Sequence, residues 1–169
     1  MNPWAVRTFE DLLAPVIAGL SDYTRNFYRH DHLGPGGDRE KITTARVVVM
    51  VGPEPKDIGL PSGPASDQVF VNTTEFSVYV ETPLLLTSGA GKEIKGKNNV
   101  HDPTCATIRS WLEDNREGLE VPADLIAKGC PQIVYGMLTP NPQEKGSGVV
   151  NNLYWRHVFF AILQNMEVT

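Results

Sequence analysis

Phe9, Leu12, Leu13, Val16, Ile17 and Leu20 recur at spacings of three and one, the rhythm of one apolar stripe along a helix. This spacing predicts a helix over residues 4–30, opened by Thr8 and Asp11 in the manner of a capping box with an acidic partner. Pro15 cannot donate a backbone hydrogen bond, so it predicts a kink or a split in that helix. The glycines of Leu33-Gly34-Pro35-Gly36-Gly37 end the segment. Residues 42–51, ITTARVVVMV, are β-branched and apolar on both faces and predict a buried strand. A loop dense in Pro and Gly follows at 52–67, long enough to suggest a functional or mobile role. Over 68–82 the chain predicts one long strand or two short ones. Within it Phe76, Val78 and Val80 alternate with Ser77, Tyr79 and Glu81, the period of a half-buried strand.

Pro83 closes that strand, and a second loop at 84–100 carries Lys92, Lys95 and Lys97 among glycines. Asp102 followed by Pro103 reads as a helix cap and first-turn proline. Cys105, Ile108, Trp111 and Leu112 then fall on one face, and Gly118 serves as a stop. Trp111 is expected to lie buried against the sheet beside Ile108 and Leu112. Residues 132–139 predict a strand, TPNPQEKGSG a hairpin-like connection, and 150–165 a last strand, with a late helix as its competitor. The order helix, strand, strand, helix, strand, strand implies one α+β domain over residues 1–169, a mainly antiparallel sheet with helices on one face.

Composition narrows the function classes. A hydrophobic content of 41% excludes a disordered chain. A net charge of −5, from 15 basic and 20 acidic residues, gives no global attraction to nucleic acid or an anionic membrane. The N-terminal MNPWAVRTFEDLLAP places acidic residues where a signal peptide has its apolar run, so folding in a cytoplasm is expected. Cys105 and Cys130 follow no CxxC spacing and read as two buried thiols rather than a disulfide.

Candidate chemistry is sparse. Thr87-Ser88-Gly89-Ala90-Gly91-Lys92-Glu93 follows an apolar run like a phosphate loop, but Leu86 stands at the first glycine position and Glu93 where Mg²⁺ needs a hydroxyl. His30-Asp31-His32 offers two imidazoles beside a glycine-rich turn, fewer ligands than zinc takes, and reads as a helix end complementing its dipole. Cys105 or Cys130 with His101 or His157 would make a nucleophile and base. The apolar helix face around Cys105 suits an inert thiol better, and the two histidines are distant in sequence. Glu113 and Asp114 are consecutive helix residues that cannot flank one substrate bond. No catalytic, cofactor or metal residues are assigned, and neither a metal nor a nucleotide is expected to copurify. Lys92, Lys95 and Lys97 remain as a candidate partner-contact loop.

Three stretches give the chain a family likeness. One is the opening amphipathic helix TFEDLLAPVIAGL. Another is the strand FSVYVETP leading through a loop to the Trp-bearing ATIRSWLEDN. The last is the closing strand NNLYWRHVFFAILQNM. In element order and rhythm the chain resembles the siphophage tail-terminator proteins, with loops at 52–67 and 84–100 longer than a minimal member needs. The resemblance implies a virion protein of the head–tail neck, a ring of six copies contacting the tail-tube protein and a head-side connector, with no enzymatic activity, cofactor, membrane or specific nucleic acid. Two alternatives stand beside it. One is another virion component, such as a tail-completion or baseplate-associated protein. The other is an enzyme or ligand-binding domain with its site at the 84–100 loop or the His30/His32 turn.

Overall fold

The computed structural model describes residues 3–20, 22–31, 42–52, 58–61, 68–87, 90–136 and 143–168. The fold is α+β. A helix α1 (Pro3–Ala18) opens the chain, followed by strands β1 (Arg25–Tyr28), β2 (Ala45–Val51), β3 (Ile58–Pro61) and β4 (Gln68–Pro83). A small hairpin of β5 (Leu85–Thr87) and β6 (Glu93–Lys95) leads through a π-helical turn, Lys97–His101, into α2 (Asp102–Asp114). Strand β7 (Leu119–Glu120), helix α3 (Ala123–Ala127) and strand β8 (Val134–Tyr135) precede the long hairpin of β9 (Gln143–Val150) and β10 (Tyr154–Val168).

The main sheet runs β1-β2-β4-β10-β9, antiparallel throughout except for the parallel β1–β2 pair. β10 pairs with β4 along fifteen positions, from Tyr154↔Pro83 to Val168↔Val69. β2 and β3 divide the other edge of β4 between them. Phe76, Val78 and Val80 of β4 face Phe9, Leu13 and Ile17 of α1 and Cys105, Ile108 and Leu112 of α2 in one buried cluster, joined by Phe159, Ala161 and Leu163 of β10. The helices thus cover one face of the sheet, and the apolar alternation read along β4 is the one that forms the core.

Several sequence expectations need correction. The opening helix stops at Ala18 and runs in one segment through Pro15. Residues 25–28 form β1 instead, because a parallel ladder to Ala45–Val48 satisfies their backbone. The loop at 84–100 is a hairpin plus a π-helical turn, and Asp102 is not a cap: its backbone is already helical, continuing from His101. The segment 143–150 is a strand rather than part of a connection. The turn falls at 151–153, where Asn151 (φ 50°) and Asn152 (φ 56°) hold a left-handed backbone that asparagine tolerates. Of the 52–67 loop only Gly52 and β3 lie among the described residues, and residues 137–142 lie outside them. Trp111 is half-buried, set edge-on to Phe9 at 5.5 Å, so it braces one helix against the other.

Glu81, on the polar side of the alternation, is fully buried on the sheet face away from the helices. Its Oε1 accepts from Arg46 Nε at 3.0 Å and its Oε2 from Arg156 Nη2 at 2.9 Å. Arg156 also donates to the Tyr154 hydroxyl at 2.7 Å and lies over the Tyr79 ring. Three strands, β2, β4 and β10, are therefore tied by one carboxylate between two guanidinium groups.

Candidate functional site

β4 ends beside a constellation of polar groups on the helix-covered face. After the β5–β6 hairpin, the Gly96 amide donates to the Leu84 carbonyl at 2.9 Å. A Cβ at Gly96 would lie 2.0 Å from the Pro83 carbonyl oxygen, so the chain can turn this close to β4 only with glycine there. The π-helical turn that follows merges with α2, which sets His101 and Cys105 four residues apart along one continuous helical face.

The other side of the site comes from the β9–β10 hairpin. Arg156 sits opposite Gly148 and Val158 opposite Lys145, so His157 faces two residues of β9, Gly146 and Ser147. This β-bulge re-aims the Ser147 side chain toward the helices, where Glu144 also points.

The hydrogen bonds form one directed chain. His101 Nδ1 lies 3.1 Å from Thr82 Oγ1 and its Nε2 lies 3.0 Å from Ser147 Oγ. Ser147 Oγ is 2.9 Å from His157 Nδ1, and His157 Nε2 is 2.9 Å from Glu144 Oε2. Arg109 of α2 grips the same carboxylate, with Nη2 2.8 Å from Oε2. An ionised carboxylate only accepts, so the proton of neutral His157 sits on Nε2 and Nδ1 is bare. Ser147 must then donate its one hydroxyl proton to His157 Nδ1. It accepts in turn from His101 Nε2–H, which leaves His101 Nδ1 to accept from Thr82.

Electrostatics keep this chain neutral at its centre. Burial holds the His101 imidazole down at about 4, with Asp102 pulling the other way. Burial also lowers His157, opposed by its bond to Glu144. The bond from Arg109 holds the Glu144 carboxyl below its ordinary value. Burial pushes the Cys105 thiol up to about 12. One ligand atom from each of His101, Cys105 and His157 lies within 4.8 Å of the other two, and all three residues are buried. The arrangement offers a histidine-held serine hydroxyl and a nitrogen–nitrogen–sulfur ligand set.

The structure thus brings together His101, Cys105 and His157, which sequence separation had set apart. Cys130 lies elsewhere, buried after α3 with its thiol donating to the Pro131 carbonyl at 3.4 Å, and neither cysteine is in a disulfide. His30 follows a strand, not a helix end, and its Nδ1 is 2.8 Å from buried Glu10. His32 lies outside the described residues. Lys92 precedes β6 directly, so no helix follows it as a phosphate loop requires. Lys95 is exposed on β6, whereas Lys97 pairs with Asp102 at 3.1 Å and covers the Trp155 ring. Glu113 and Asp114 are exposed on α2. Thr82, Arg109, Glu144 and Ser147 escaped the sequence reading. The one legible signal is the His-x-x-x-Cys spacing, masked because Asp102-Pro103 mimics a helix start that would leave His101 outside the helix.

Among the described residues no helix is long and apolar enough to cross a membrane. Compared with known proteins, the chain matches no family model and no curated protein.

Proposed function

We propose that the chain is a structural protein of a tailed-phage virion, a tail terminator that closes into a ring on the tail tube and joins it to the head-side connector. One observation carries the reading beyond the element order. Among the described residues the exposed large apolar side chains include Leu85, Val149 and Leu153, which lie around the β9–β10 turn and the end of β4, where Leu84 N bonds Leu153 O at 3.4 Å; Phe160 lies farther along β10, opposite Ser77 and Gln143. Exposed apolar side chains near one end of the sheet favour association. The opposite edge of the sheet is the short β1. A contact between two unlike surfaces of identical subunits is heterologous, and it makes a ring when its rotation closes. Six copies follow from the family resemblance.

In this reading Lys92, Lys95 and Lys97 face an acidic neighbour, tube protein or connector, and the chain is not an enzyme. The test adds purified protein to tails lacking a terminator and counts capped tubes by electron microscopy. Capped tubes with a ring at the end are expected, and a protein that never binds tails sinks the reading.

A second reading, as a hydrolase, rests on the Ser147–His157–Glu144 order of hydroxyl, imidazole and carboxylate. Covalent labelling of Ser147 by a fluorophosphonate would favour it.

A further inference from the structure

We propose that His101, Cys105 and His157 form a binding site for a zinc-class divalent cation, independent of the function proposed above. The three come from two separate elements, the π-helical turn with α2 and strand β10, as ligand sets of folded metal sites do. Their ligand atoms lie within 4.8 Å of one another. Tetrahedral zinc, with bonds of about 2.0–2.3 Å, needs separations of roughly 3.3–3.6 Å, so the site closes by about an ångström.

The hydrogen bonds select the ligating atoms. His157 Nε2 is committed to Glu144 and His101 Nδ1 to Thr82, which leaves His157 Nδ1 and His101 Nε2, the two nitrogens that converge on Ser147 Oγ. Each imidazole therefore has an outer partner on its far nitrogen. Glu144, itself gripped by Arg109, is the carboxylate that orients a metal-bound histidine. The Thr82 hydroxyl can accept from His101 Nδ1–H as readily as it donates to the bare nitrogen.

Ser147 holds the place where the ion would sit. It lies on an exposed edge strand between Gly146 and Gly148, which meet no obstacle on their open sides, so its hydroxyl can swing aside or become the fourth ligand. This is also the entry path. The balance is simple. The cation takes the Cys105 thiolate and the two neutral imidazoles. His101 moves its proton from Nε2 to Nδ1, and one proton, from the thiol, goes to solvent for each ion bound. A borderline-soft N₂S set favours zinc over magnesium or calcium.

The experiment strips the full chain with chelator and titrates it with Co²⁺ as a spectroscopic stand-in. One equivalent should develop tetrahedral d–d bands and a thiolate-to-cobalt charge-transfer band, with release of one proton, and Zn²⁺ should abolish both bands. Cys105→Ser should lose the charge-transfer band, while Cys130→Ser keeps it. Glu144→Gln, at a surface strand, should raise Kd by about 10–100-fold, the usual effect of removing an outer partner. The proposal is overturned if stripped protein that still melts cooperatively gives no charge-transfer band in excess Co²⁺. It is equally overturned if the band survives in Cys105→Ser or if Kd is unchanged in Glu144→Gln.

Discussion

The ring of Phe9 lies flat on the ring of Phe76, centroids 4.0 Å apart and planes 8° from parallel. One ring belongs to the first helix and the other to the middle strand of the sheet, so this stack is the bolt between the two layers. Both are fully buried. Phe9→Ala should cost about 3–5 kcal/mol, the range for aromatic truncation in a core. Trp111→Ala should cost less, because part of its surface is already in water. Urea unfolding of both variants checks the order, and a larger loss at Trp111 would mean that the inter-helix contact dominates.

Glu81→Ala should be nearly as damaging as Phe9→Ala for a different reason. It leaves Arg46, with a side chain only 8% exposed, deprived of its carboxylate inside the sheet. Removing one partner of a buried pair typically costs about 3–5 kcal/mol. Arg156→Ala should be milder, since that side chain is 25% exposed and Arg46 still neutralises the carboxylate. A double-mutant cycle on Arg46 and Glu81 measures the coupling, and additive losses would refute it.

In chelated protein, stability should fall with acid. The folded His101, facing Asp102, His157 and Lys97, titrates at about 4, against an ordinary 6.5. Between those values the unfolded chain binds a proton that the folded one refuses. Stability from this group is therefore intact above 6.5, declines as the pH drops, and is fully lost below about 4. The loss amounts to at most about 3 kcal/mol. His157 adds in the same direction. Melting temperature followed from pH 7 to pH 4 tests this, and His101→Gln should flatten the slope.

Replacing Leu85 and Leu153 by Asp should leave the fold intact, since exposed sites usually move stability by about ±0.5 kcal/mol each. It should remove rings from tube ends. Lys92→Glu with Lys95→Glu should instead slow attachment, most at low ionic strength. Lys97 is best left unchanged in that variant, because its pair with Asp102 would confuse docking with folding. Native mass spectrometry and capped-tube counts at two salt concentrations separate the two effects. Unaltered capping by both variants would dismiss these surfaces.

What could be read in advance divides along the range of the interactions. The stripe Phe9, Leu13, Ile17 and the alternation Phe76, Val78, Val80 are local periodicities, and they mark the buried faces. Arg25–Tyr28 has no such local signature: all four residues are half-buried, and only pairing with Ala45–Val48 makes them a strand. Glu81 looked like a surface residue because its two arginine partners sit 35 positions before it and 75 after. The polar site was hidden for the same reason. A bulge that sets two residues of β9 against His157 leaves no trace in hydrophobic rhythm.

The long β4–β10 ladder has a consequence for synthesis. It joins residues 69–83 to residues 154–168, so the central seam of the sheet cannot form until Tyr154–Val168 have left the ribosome. Until then β4 keeps a whole edge unpaired, and Phe76 and Val78 await the side chains of Ala161 and Phe159. Such distant closures are slow, and an open strand edge is a template for wrong partners. The nascent chain is therefore at its stickiest just before β10 emerges, and a chaperone that shields the open edge of β4 should raise the soluble yield more than one that assists the finished chain.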